Sequence, residues 1–107
     1  MTGFEDREKG FERKFERDQE LTFQARARRN NLLGMWAAKH LGLSGAAAED
    51  YAKEVIAAGL KPPGDRSVVE KVAADFAAKG VAIDARRVRF ELNQFYAEAK
   101  KHFGIRP

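Results

Sequence analysis

Val88, Leu92, Phe95, Ala99 and Phe103 follow one another at intervals of four, three, four and four residues. That is the period of a helix with one buried side, and it leaves no room for a strand. The rest of the chain repeats the pattern. Leu21, Ala25, Leu32, Leu33, Trp36, Ala37 and Leu41 share one broad helical face, and Gly42 supplies the left-handed stop after it. Ala48, Tyr51, Ala52, Val55 and Ile56 make a second stripe, running to Gly59. Val69, Val72, Ala73 and Phe76 make a third, ended by Gly80. The β-branched residues are few and fall at helical spacing. The expected fold is all-α, a four-helix bundle with helices at about 19–41, 45–58, 66–79 and 85–103.

Local signals sharpen those boundaries. Ser44 is placed to cap the second helix, Asp65 or Ser67 the third, and Asp84 the fourth. Ser67 and Glu70 have capping-box spacing, and Ile83 and Val88 stand at the staple positions around Asp84. Leu60-Lys61-Pro62-Pro63-Gly64 is the clearest loop. Gly34 lies inside the first helix, where a glycine costs stability unless a neighbouring helix comes close. Trp36, Phe23, Tyr51, Phe76 and Phe95 read as core rather than as a ligand cage. Trp36 is expected to be largely buried, and Leu32→Ala to cost about 2–5 kcal/mol.

Composition narrows the class. A chain of 107 residues is one domain. With no cysteine it has neither a disulfide framework nor thiolate metal ligands. No apolar run approaches the roughly 18 residues of a membrane span. The charge from Glu5 onward is unlike a secretory signal. The expected setting is cytoplasmic, without direct membrane insertion.

The first twenty residues differ from the others. Beyond Met1 their only large apolar side chains are Phe4, Phe11 and Phe15, set among Glu, Asp, Arg and Lys. Three phenylalanines bury too little area to order such a segment alone, and Gly3 and Gly10 weaken any helix there. Yet Phe4, Phe11 and Phe15 stand at i, i+7 and i+11, one face of a helix. The expected organisation is therefore a mobile N-terminal segment, residues 1–19, that becomes helical on binding, followed by a four-helix domain, residues 20–107. The residues alone leave two uses open: a helix that docks in a partner's crevice, or an inert charged terminus.

Catalytic chemistry finds little support. Gly64-Asp65-Arg66-Ser67 lacks the spacing and the lysine of a phosphate loop. His40 and His102 fit the last turns of helices one and four, where a cation suits the dipole, better than a metal site. Glu49 and Asp50 read as a solvated first turn of helix two. Arg26, Arg28 and Arg29, and Arg86, Arg87 and Arg89, form basic clusters, the latter set against the dipole of helix four. The net charge is only +4 and carboxylates are interspersed throughout. A solvated or salt-bridged face is favoured over nucleic acid.

Three stretches resemble a known family. Phe11-Glu12-Arg13-Lys14-Phe15, Asp18-Gln19-Glu20-Leu21-Thr22-Phe23 and Ala27-Arg28-Arg29-Asn30-Asn31-Leu32-Leu33-Gly34-Met35-Trp36-Ala37-Ala38 are similar to the ζ subunit of the alphaproteobacterial F1Fo-ATP synthase. Gly42-Leu43-Ser44-Gly45 and Ala48-Glu49-Asp50-Tyr51-Ala52-Lys53-Glu54-Val55 continue the likeness. It is close over roughly residues 4–56 and looser beyond. Two departures stand out: the loop 59–64 is basic and proline-rich where the family is usually acidic, and the last helix is more basic.

The resemblance implies a non-enzymatic regulator built as a four-helix bundle with a mobile N-terminal segment. That segment is implied to enter a catalytic interface between α and β subunits of F1, beside γ, and to block ATP hydrolysis. Partner-binding residues are then Phe4, Arg7, Phe11, Arg13, Lys14, Phe15, Arg17 and Asp18. The phenylalanines serve as anchors and the charges pair along the crevice. The implied place is the cytoplasmic side, peripheral to the membrane through F1Fo. No metal and no obligatory cofactor is implied. Weak binding of ATP or ADP by the bundle is implied without an assigned site, and a non-inhibitory helical module that binds adenine nucleotide or another partner is the alternative.

Overall fold

A computed structural model describes the backbone of residues 3–105 and the side chains of residues 16–105. Four helices follow in order: α1 (Gly3–His40), α2 (Gly45–Gly59), α3 (Asp65–Ala78) and α4 (Ala85–His102). No strand occurs among the described residues. α1 is the spine. It packs along α2 and α4 and touches α3 only lightly, while α3 bridges α2 and α4 on the other side. Its 38 residues span about 57 Å at 1.5 Å per residue. The shorter helices set the width, so the molecule measures 65 × 25 × 22 Å.

The first helix is longer than the 19–41 expected, because it begins at Gly3 without a break near Asp18. No proline precedes Pro62, and a glycine such as Gly10 weakens a helix by about 1 kcal/mol without ending it. The bundle takes hold of α1 further along. Glu16 to Glu20 are exposed, Leu21 and Thr22 are half-buried, and Ala25 is the first fully buried side chain described.

The core lies where all four stripes meet. Leu33, Val55, Val68, Val72, Phe76, Val88 and Leu92 have no accessible surface. Trp36, Leu41, Leu43, Val81, Ile83 and Phe95 close over them, partly buried. Trp36 is thus less enclosed than expected, its ring edge-on to Phe76 at 5.7 Å. Leu32 is only half-buried; the fully buried leucine is Leu33, one residue and 100° further round the helix. Phe23 departs furthest from the core assignment, with 61% of its surface exposed.

Gly34 has the close approach its position requires. A Cβ there would come within 2.6 Å of the Ala52 Cα, so the backbones of α1 and α2 touch. Gly42 illustrates the helix stops. Its φ of 79° lets Leu43 N–H donate to Ala38 C=O at 2.9 Å and Gly42 N–H to Lys39 C=O at 3.2 Å, the paired bonds of a Schellman end. Gly80 and Gly104 close α3 and α4 in the same way, with Val81 N–H on Phe76 C=O and Ile105 N–H on Lys100 C=O. Gly59 does not: it stays in the helix, and its bare Cα makes room for the Asn30 amide.

The caps divide. Asp84 accepts from Arg87 N–H at 3.0 Å, and Ile83 and Val88 both join the core beside it, as expected. Ser44 occupies the N-cap of α2 with an extended backbone but makes no side-chain capping bond. Glu49 and Asp50 lie beyond the first turn of α2, which carries no acid. Neither Asp65 nor Ser67 caps α3, whose N-cap is Gly64. Ser67 Oγ donates to Lys61 C=O at 3.2 Å. Glu70 accepts from Arg66 at 2.9 Å, so the capping box does not form. Asp65 is drawn away by an arginine of α1.

Candidate functional site

Two regions are candidates for a functional site: the N-terminal half of α1, and the junction where α1 meets the α2–α3 loop. In the first, one uninterrupted helical backbone runs from Gly3 into the bundle, carrying Phe4, Arg7, Phe11, Arg13, Lys14 and Phe15. The side chains of those six lie outside the described residues. Arg17 and Asp18 are described and exposed. Asp18 C=O also accepts from Thr22 Oγ1 at 2.8 Å, four residues on.

At the junction a charged group lies inside the protein. Arg29 is 3% exposed and Asn30 5%. Arg29 Nη2 donates to Asp65 Oδ1 at 2.8 Å, and Arg29 Nε to Asn30 Oδ1 at 3.0 Å. The Tyr96 ring lies 5.0 Å below its guanidinium carbon. One side chain of α1 is thereby tied to the first turn of α3 and to α4. A buried arginine is tolerated only with such partners, and no buried side-chain polar atom among the described residues lacks one. The sequence carried a sign of this: Arg29 falls at i+4 from Ala25 and i−4 from Leu33, on the buried stripe. Its place in a run of three arginines, with Arg26 and Arg28 exposed, masks that sign.

Outside that ion pair lies a groove of about 310 Å³, lined by Phe23, Arg26, Asn30, Leu60, Pro63 and Asp65. Leu60, like Phe23, is mostly exposed. The groove joins an apolar wall to the exposed guanidinium of Arg26 and is open to a small or extended ligand.

A second polar group ties α2 to α3. Tyr51 OH donates to Asp75 Oδ2 at 2.8 Å. Lys71 Nζ lies 3.1 Å from the same oxygen and 3.7 Å from Glu54 Oε1. Burial first, then the Asp75 hydrogen bond and the charges of Asp75 and Glu54, push the Tyr51 hydroxyl far above its usual value. The phenol therefore remains a donor throughout the physiological range.

No three metal-ligating side chains gather among the described residues. His40 and His102 occupy the last turns of α1 and α4, and the His40 ring packs edge-on to Trp36 at 5.0 Å. No helix described is long and apolar enough to cross a membrane.

A long helix projecting from a small bundle stapled by interhelical ion pairs defines an all-α helical module. Comparison with protein families makes this specific. The model of the family ATPase inhibitor subunit zeta matches residues 1–102, and the chain belongs to that family. The match spans both the N-terminal half of α1 and nearly the whole bundle, and it agrees with the resemblance carried by the motifs in α1 and α2. No curated protein matches the chain.

Proposed function

We propose that the chain inhibits ATP hydrolysis by F1 by inserting residues 1–19 into a catalytic interface between α and β subunits, next to γ. The observation that supports this most is the family match over residues 1–102, joined to a single helix continuous from Gly3 to His40. A helix rooted in a folded domain can be offered to a crevice in a set direction, which lowers the ordering cost of docking. Phe4, Phe11 and Phe15 are the anchors, each contributing about 1.5–3 kcal/mol on burial. Arg7, Arg13, Lys14 and Arg17 pair with acidic groups along the crevice, and Asp18 with a basic one.

Inhibition further requires that the crevice hold the helix in one catalytic state better than in the others. Equal binding to all states would leave their populations unchanged. In this reading the chain is not an enzyme, its partners are the α, β and γ subunits, and it works on the cytoplasmic side at the membrane-bound synthase.

The test is ATP hydrolysis by F1 from the same organism, with the full chain and with a version lacking residues 1–19. Inhibition by the full chain alone is expected. Equal inhibition by the truncated version would overturn the role of the segment.

A second reading has one observation in its favour. The groove beside Phe23 and Arg26, with Asp65 also in its lining, sets an aromatic side chain near a cation, a pairing that suits the base and the phosphates of an adenine nucleotide. Under that reading the bundle takes up ATP or ADP without inhibiting. Calorimetric titration with ATP, repeated on Arg26→Ala, checks it: saturable heat lost in the variant is the expected result, and no heat in either protein sinks it.

A further inference from the structure

The outward side of α4 is built for something other than the bundle. Val88, Leu92 and Ala99 turn inward and are buried. On the opposite side Arg86, Phe90, Asn93, Ala97 and Lys101 are all exposed, and at 100° per residue they lie within roughly a quarter turn of one another. Arg89 and Lys100 flank this stripe. The two carboxylates of α4, Glu91 and Glu98, lie on its other flank, and Glu91 is already paired with Arg87 at 2.9 Å.

Two features of this face oppose the chain's own stability. Arg86 and Arg89 sit near the N-terminus of α4, where the dipole disfavours cations, and neither forms an ion pair among the described residues. Phe90 keeps 55% of its surface in water. An exposed aromatic residue beside two cations, Arg86 one turn before it and Arg89 next to it, has the make-up of a binding hot spot.

We infer that this face of α4 is a second docking surface, for an acidic patch on the ATPase; the inference rests on the reading of the chain as an F1-ATPase inhibitor. Charge complementarity calls for carboxylates opposite Arg86, Arg89 and Lys101, and Phe90 calls for a small apolar notch among them. The face holds the bundle against the enzyme while the N-terminal half of α1 does the inhibiting. A protein surface fits better than nucleic acid. Its one large exposed apolar side chain, Phe90, stands among the cations, and an apolar anchor suits a protein partner better than a phosphate backbone.

The test uses the full chain with F1 from the same organism. Phe90→Ala and the double variant Arg86→Glu/Arg89→Glu are compared with the wild type for half-inhibitory concentration, affinity for F1 and melting temperature. Both variants alter exposed side chains: Phe90→Ala is expected to melt like the wild type, and Arg86→Glu/Arg89→Glu at or slightly above it, since acids suit the start of α4. Phe90→Ala is expected to raise the half-inhibitory concentration about tenfold. The double variant is expected to do at least the same and to flatten the dependence on salt. Full inhibition at saturation is retained, since residues 1–19 are intact.

Wild-type inhibition with unchanged variants would overturn the α4 surface and leave the inhibitor reading standing. Variants that keep their hold on F1 but lose retention on DNA or RNA would overturn it in favour of nucleic acid. A wild-type chain that neither binds nor inhibits F1 would overturn both readings together.

Discussion

Arg29 and Gly34, five residues apart on α1, show how much single positions decide here. Arg29 brings a charge into the interior and needs three partners to remain there: Asp65, Asn30 and the Tyr96 ring. Gly34 brings nothing, and that is its use. Gly34→Ala adds helix propensity of about 1 kcal/mol, but its methyl would meet the Ala52 backbone at 2.6 Å, and backbone does not yield as a side chain tip does. Overpacking of this kind costs about 1–3 kcal/mol, so a net loss is expected in urea denaturation. Tyr51 supplies a pH prediction. Its folded pKa is raised above the ordinary 10.0, so the stability it contributes is complete below about pH 10 and is lost as pH rises beyond it. Tyr51→Phe is expected to lower stability at neutral pH by about 0.5–1.5 kcal/mol. It should also flatten the fall between wild-type and variant curves above pH 10, read by denaturation at several alkaline pH values.

At the scale of elements, helix ends that look alike in sequence behave differently. Asp84 and Ser44 both precede a helix, yet only Asp84 makes the capping bond. Asp84→Ala is expected to cost about 1 kcal/mol and Ser44→Ala almost nothing, a contrast visible as two melting temperatures. The start of α3 went to a different solution. Asp65 carries its carboxylate in the first turn, where the dipole favours it, but points it at Arg29, and Gly64 takes over the cap position. The N-terminal half of α1 is the element to which the proposed inhibition is assigned. Because Ala25 is the first fully buried side chain described on that helix, Phe11→Ala and Phe15→Ala are expected to leave the melting temperature within a few degrees of wild type. Their half-inhibitory concentrations against F1 should rise about tenfold or more.

At the scale of the whole molecule, the proposed function separates holding from acting. Three short helices and the C-terminal half of α1 make a bundle 25 by 22 Å across, and the same α1 extends the long dimension to 65 Å. Stability resides in the bundle and the proposed inhibition in the projecting helix, so removing residues 1–19 should abolish inhibition while leaving cooperative unfolding intact. A truncated chain that no longer unfolds cooperatively would show that the two halves depend on each other. Tethering through α4 would add to this division, raising the local concentration of the inhibitory helix at its crevice.

Periodicity and punctuation determined the number of helices, their order and most of their ends, because 3.6-residue spacing, glycine stops and an aspartate cap act within a few residues along the chain. The family was legible for the same reason, in motifs contiguous along α1 and α2. What lay beyond the sequence was set by residues far apart in it. Leu33 rather than Leu32 fills the core because the crossing of α1 with its neighbours chooses between positions 100° apart. Phe23 stays mostly in water because the α2–α3 loop beside it forms an open groove rather than a closed contact. Arg29 is buried because Asp65, thirty-six residues away, arrives beside it, and that same encounter takes Asp65 from the cap it would otherwise form. Local rules specify which helices exist. Only their packing decides which side of each is inside, and so which residues remain outside to meet a partner.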